Sequence, residues 1–68
     1  MKISARNRLK GKIVEVKKGA TTANVKIKIG SAIVTAAITN EAVEELKLAK
    51  GKVAYAVIKA SDVMVGID

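Results

Sequence analysis

Thr22-Ala23-Asn24-Val25-Lys26-Ile27-Lys28-Ile29 is the stretch that decides the fold, because Ala23, Val25, Ile27 and Ile29 share one parity and Thr22, Asn24, Lys26 and Lys28 the other. Alternation with period two is the pattern of a strand that buries one face and wets the other. Gly30-Ser31 follows at once. A glycine in first place of a two-residue connection suits a type II′ hairpin turn, whose first central residue needs a positive φ. That register sets Ala32 opposite Ile29 and turns Ala32, Val34, Ala36 and Ile38 inward.

The returning strand carries Ile33 and Ala37 on its other face, beside Thr35 and Thr39. A later run, Val53-Ala54-Tyr55-Ala56-Val57-Ile58, is apolar on both parities as well. A strand facing solvent on one side should alternate with polar residues, so apolar outer faces on so short a chain predict contacts between subunits.

Working outward, Leu9 to Lys17 reads as a first strand ending at a Lys17-Lys18-Gly19 turn, and Asp62 to Ile67 as a last short strand. Between the third and fourth strands, Asn40 to Leu48 reads as a helix of two to three turns. Asn40 is its expected N-cap, Glu41, Glu44 and Glu45 fall early, Lys47 and Lys50 fall late, and Gly51 is its stop. Five strands with a short helix between the third and fourth is the order of an OB-like, all-β barrel. Residues 1–68 contain no linker, low-complexity stretch or internal repeat, and one domain is expected.

The chain has 68 residues, and a domain of that size buries only about 60% of the surface its unfolded form exposes. No cysteine or histidine is present to supply a disulfide or a structural zinc, which leaves oligomerisation as the stabilising device. No segment approaches the roughly 20 apolar residues of a membrane-spanning helix, and the N-terminal MKISARNRLKGK lacks the apolar core of a signal peptide. A cytoplasmic protein with no membrane partner is expected.

An enzyme would need an acid, base or nucleophile with partners, and the usual His and Cys are missing. Glu41, Glu44 and Glu45 suit a solvated helix start, and Glu15 and Asp68 are isolated. The net charge of +7 instead implies an anionic partner, with seven of the thirteen basic residues in the first 18 positions. A basic OB-type nucleic-acid-binding module is the alternative reading. Single-strand binding on such barrels relies on aromatic platforms, however, and the one aromatic, Tyr55, shares a parity with Val53 and Val57 that suggests core packing. No nucleic-acid partner is therefore expected.

A small dianion asks for hydroxyls, amide N–H groups and one or two cations converging on a point. Ser4-Ala5-Arg6-Asn7 packs a hydroxyl, a guanidinium and an amide into four residues, and Lys59-Ala60-Ser61 supplies an ammonium and a hydroxyl. Thr39-Asn40-Glu41-Ala42 begins the helix. Each lies at the boundary of an element.

With Ile3-Ser4-Ala5-Arg6-Asn7 and Leu9-Lys10-Gly11 at its start, Ala42-Val43-Glu44-Glu45-Leu46 in its helix and Val57-Ile58-Lys59-Ala60-Ser61-Asp62-Val63-Met64 at its end, the whole chain resembles the molbindin (Mop) family of small molybdate-binding proteins. The resemblance implies an OB-like barrel, a homohexamer built as a trimer of dimers, and molybdate or tungstate bound between subunits without a cofactor or a direct metal ligand. It implies storage or homeostasis of the oxyanion. Carried over by position, Ser4, Arg6, Lys59 and Ser61, with Ala5, Asn7 and Ala60 beside them, form one subunit's side of a site. Thr39 and the helix start at Ala42 come from the neighbour. Family members often carry Ser at the position of Ala42, so here only the backbone N–H could serve.

Overall fold

The computed structural model describes all residues, Met1–Asp68, and is built on one curled sheet. Its strands are β1 (Asn7–Lys18), β2 (Thr22–Ile29), β3 (Ala32–Thr39) and β4 (Val53–Ile58), in the antiparallel order β3-β2-β1-β4. The hairpin forms with the expected register: Ile29 pairs with Ala32, Ile27 with Val34 and Val25 with Ala36. Gly30 has φ +61° and Ser31 does not share the positive sign, as a type II′ turn requires. Ala23, Val25 and Ile27 are buried, and with Ile13, Val43 and Ala56 they make the core. Val34 and Ile38 pack against it, whereas Ala32 stays exposed at the hairpin end.

Two devices curl the sheet. The β1–β2 register shifts between Ile13 and Glu15, which marks an extra residue in β1 and a local bend. Two residues earlier, Gly11 lets the strands approach so closely that an added Cβ would lie 2.4 Å from the Lys28 carbonyl oxygen. Glycine inside a strand has this use at a tight barrel bend.

The helix α1 (Asn40–Glu45) is shorter than its charge pattern suggested, and Thr39, not Asn40, caps it. Thr39 is still extended, with φ −73° and ψ 151°, and its Oγ1 accepts from the Ala42 N–H at 3.0 Å. The Asn40 amide turns back instead, its Nδ2 donating to the Gly19 carbonyl at 3.0 Å. The stop also comes early: Lys47 adopts φ +53°, and the Leu48 N–H donates to the Val43 carbonyl at 3.0 Å. That is a Schellman-type end, which brings Leu48 onto the core; Gly51, at φ +94°, serves the next turn. Replacing Thr39 by alanine should cost about 1 kcal/mol of stability by leaving the Ala42 N–H without its cap, as read by thermal melting.

The expected fifth strand, Asp62 to Ile67, does not form: Ala60–Asp62 is a 3-10 turn and Val63–Asp68 has no regular structure. The four strands make a curled half-barrel, with the far edges of β3 and β4 unpaired. A strand needs an edge to pair with, and alternation in sequence cannot name one. Met64 is 92% and Ile67 94% exposed. Between β3 and β4 an apolar groove of about 390 Å³ remains, with Val25, Ala36, Ile38, Leu48 and Ala56 among its lining residues.

The exposed surface is 5467 Å², against about 4100 Å² for a compact monomer of 7.1 kDa. Only seven of the 68 residues are buried. Ile33 and Val53, on the outer parities noted in the sequence, are 50% and 59% exposed. Tyr55 corrects the sequence reading: it is 48% exposed on the outer face, because its parity with Val53 and Val57 points all three away from the core. Glu15 is not isolated either, since its carboxylate lies 3.4 Å from the Lys26 ammonium. Like the exposed Lys18–Glu44 pair at 3.3 Å, it adds little stability, within about 1 kcal/mol.

Candidate functional site

The antiparallel ladder of β1 and β4 brings the two ends of the chain together. Asn7 pairs with Ile58 and Arg8 with Val57, and the ladder ends there, so Arg6 and Lys59 are the chain neighbours of its last pair. Asn7 fixes the junction with its side chain, Nδ2 donating to the Ile58 carbonyl at 3.2 Å. Ala5 is buried at 8% exposure and anchors the segment from which Ser4 and Arg6 remain exposed. On the β4 side, Lys59 precedes the 3-10 turn with φ −63° and ψ 139° and caps nothing with its side chain. Lys59, Ala60 and Ser61 are all exposed.

The electrostatics of this edge are one-sided. The chain has two ion pairs, Lys18–Glu44 and Lys26–Glu15, and neither involves Arg6 or Lys59. Two cations next to the last pair of the ladder, neither with a carboxylate within 4 Å, make this end of the sheet locally positive and favourable to an anion. A dianion met by one Arg and one Lys is neutralised locally, with the Ser4 and Ser61 hydroxyls available as further donors.

Thr39 and Ala42 are not at this edge. Thr39 pairs with Thr22 at the start of β2, and Ala23 pairs with Lys18, the last residue of β1. The two groups therefore sit at opposite ends of the 12-residue β1, a path of about 35 Å along an extended strand. A single chain cannot close them around one ion. The structure also changes what the second group offers, since the Ala42 N–H is already taken by Thr39 Oγ1. The hydroxyl that accepts there keeps its own proton, and Thr39 is the free donor of the pair.

This fold defines a class: a small OB-like β module with exposed cations and hydroxyls at the rim of its sheet. Residues 3–65 match the TOBE domain family. A probable molybdenum-pterin-binding protein of Haemophilus influenzae is 51% identical over 69 residues, covering 100% of both chains. Among solved structures, a molybdate-binding protein from Sporomusa ovata superimposes with a TM-score of 0.93 at 34% identity, over 98% of this chain and 100% of that one. The cytoplasmic molybdate-binding protein ModG, solved with molybdate bound, gives a TM-score of 0.93 at 40% identity. That match covers 100% of this chain and 49% of ModG. The chain belongs to the molbindin (Mop) family of TOBE-domain proteins.

Proposed function

We propose that this chain binds molybdate or tungstate between the subunits of a homohexamer, a trimer of dimers, and that it stores or buffers the oxyanion in the cytoplasm. The observation that carries the reading is the separation of Ser4, Arg6, Lys59 and Ser61 from Thr39 by the length of β1. Each end holds donors that a tetrahedral oxyanion uses, and each is incomplete alone. Two copies meeting end to end would complete the set. Ala5, Asn7, Ala60 and Ala42 then stand around it: buried Ala5 and the Asn7 side chain hold the first segment in place, and the Ala42 N–H fixes the Thr39 hydroxyl.

The molybdate binding named for the Sporomusa protein and for ModG, at high structural similarity, supports the ligand. Assembly is supported by the half-barrel itself, which leaves two sheet edges and an apolar groove open while the apolar tail Val63–Ile67 projects without a partner. A tail from one copy matches the groove of another in chemistry, and pairing would cover the edges that unassembled sheets expose. No helix is long and apolar enough to cross a membrane.

Calorimetric titration with molybdate, tungstate and sulfate, on protein whose assembly is verified by native mass spectrometry, tests the proposal. Saturation by the two metal oxyanions at micromolar concentration is expected. No heat from an intact hexamer would overturn it. Because assembly and ligand both act on the folded state, Tm should rise with protein concentration. It should rise again with ligand, by the equivalent of about 2.7 kcal/mol per site when free molybdate is 100-fold above Kd. A Tm independent of both would contradict the interfacial site.

A further inference from the structure

The curl of the sheet sorts its charges. The pairs Arg8–Val57, Lys10–Tyr55, Lys12–Lys28 and Lys26–Thr35 place Arg8, Lys10, Lys12, Lys26 and Lys28 on the outer, convex face, all exposed. Lys17, paired with Asn24, continues it. Glu15 is the one carboxylate there, and the other five lie on the helix or at the C-terminal end of the chain. Six cations against one anion give this face a local excess of +5.

The one aromatic of the chain stands on the same face. Tyr55 is 48% exposed, is paired directly across from Lys10, and lines a shallow depression of about 380 Å³ together with Arg8 and Met1. The sequence argued against nucleic acid because the chain has a single aromatic and because that ring was assigned to the core; the second ground is removed. The ring is instead turned outward, half exposed beside cations.

We propose that the convex face is a second binding surface, which takes single-stranded nucleic acid through its phosphates and one stacked base. Two features favour this polymer over a compact anion or an acidic protein. Cations on alternate residues of β1 repeat every roughly 6.8 Å in a row, a track for a linear chain of charges and not a point site. Lys12 and Lys28 are paired directly opposite each other, a like-charge arrangement that weakens a sheet and that phosphate neutralisation relieves. Base stacking on Tyr55 adds what an acidic polypeptide cannot use. Lys10, Lys12, Lys26 and Lys28 lie outside both the oxyanion site and the apolar groove, whereas Tyr55 also lines that groove, so the lysine variants test this surface apart from assembly and Tyr55→Leu is compared at a matched oligomeric state.

The test is fluorescence anisotropy of a fluorescein-labelled twelve-nucleotide oligo-dT titrated with the full chain over a range of salt. Binding at low salt is expected, with log K falling linearly against log salt by about 0.7 per phosphate neutralised. The double variant Lys10→Ala/Lys28→Ala should reduce that slope by about 1.4 while molybdate heats stay unchanged. Tyr55→Leu should weaken binding by roughly 5- to 150-fold at constant slope, the loss of one stacked base. No binding at low salt overturns the proposal. So does displacement by polyglutamate combined with indifference to Tyr55→Leu, which would mark an acidic polypeptide site. A changed oligomeric state in the double variant, with oligonucleotide affinity intact, would assign the face to subunit contact and overturn it equally. Circular dichroism of each variant separates these outcomes from unfolding.

Discussion

Arg6→Ala is expected to weaken molybdate binding by about 30- to 5000-fold, because truncating one partner of a desolvated charge pair costs about 2–5 kcal/mol. Arg6 follows the buried Ala5 and precedes Asn7, whose side chain is tied to the Ile58 carbonyl, so its backbone is held before any ligand arrives. With no carboxylate partner to surrender, it meets the ion without first breaking an ion pair. Arg6→Lys should recover only part of the loss. A guanidinium presents a planar fork that bridges two oxygens, and an ammonium does not. Calorimetry on the parent chain and the two variants at matched assembly state checks the ranking, and an Arg6→Ala affinity equal to the parent's would remove Arg6 from the site. Thermal stability without ligand should change little, since Arg6 is exposed and its side chain makes no hydrogen bond.

Gly11→Val should be the most damaging substitution to the fold. The new Cβ would meet the Lys28 carbonyl oxygen at 2.4 Å, Ile27 Cγ2 at 2.8 Å and Ile29 Cγ1 at 2.8 Å. Side chains can rotate away, but a backbone oxygen held in the ladder cannot, so β1 and β2 would have to separate where the sheet bends. Forced overpacking costs about 1–3 kcal/mol and more where the backbone must move. A loss of about 3 kcal/mol corresponds to a fall in Tm of roughly 12–24 °C for a domain of this size. Flattening the curl would also move the β3 and β4 edges apart and spoil the groove, so assembly should weaken along with stability. Melting curves and native mass spectrometry of Gly11→Val decide it; a wild-type Tm would show that the strands have room the geometry denies.

The hairpin was legible because its evidence is local. Parity from Thr22 to Ile29, a glycine able to take φ +61°, and parity again from Ala32 to Thr39 fix the pairing without reference to any other part of the chain. The helix was legible in place but not in extent. Its end is set by Lys47 in a left-handed conformation, stabilised by Leu48 reaching the core, and nothing in the charge pattern announces that. Thr39 displaced Asn40 as cap because either side chain could serve, and the strand's end decided which one was still extended.

Strand parities, the hairpin, the small aliphatic core and the clusters at the two ends of the chain are readable from residue order, because periodicity and short motifs are properties of neighbours along the backbone. Tertiary structure alone decided three matters of placement. Strand pairing brought the segments that carry Arg6 and Lys59 to one end of β1 and held Thr39 at the other. The β1–β4 register put Ala56 in the core and turned Tyr55 outward, across from Lys10. The tail read as a fifth strand found no edge within its own chain, since the free energy of a strand lies in its partner and its packing, which no single stretch of sequence contains.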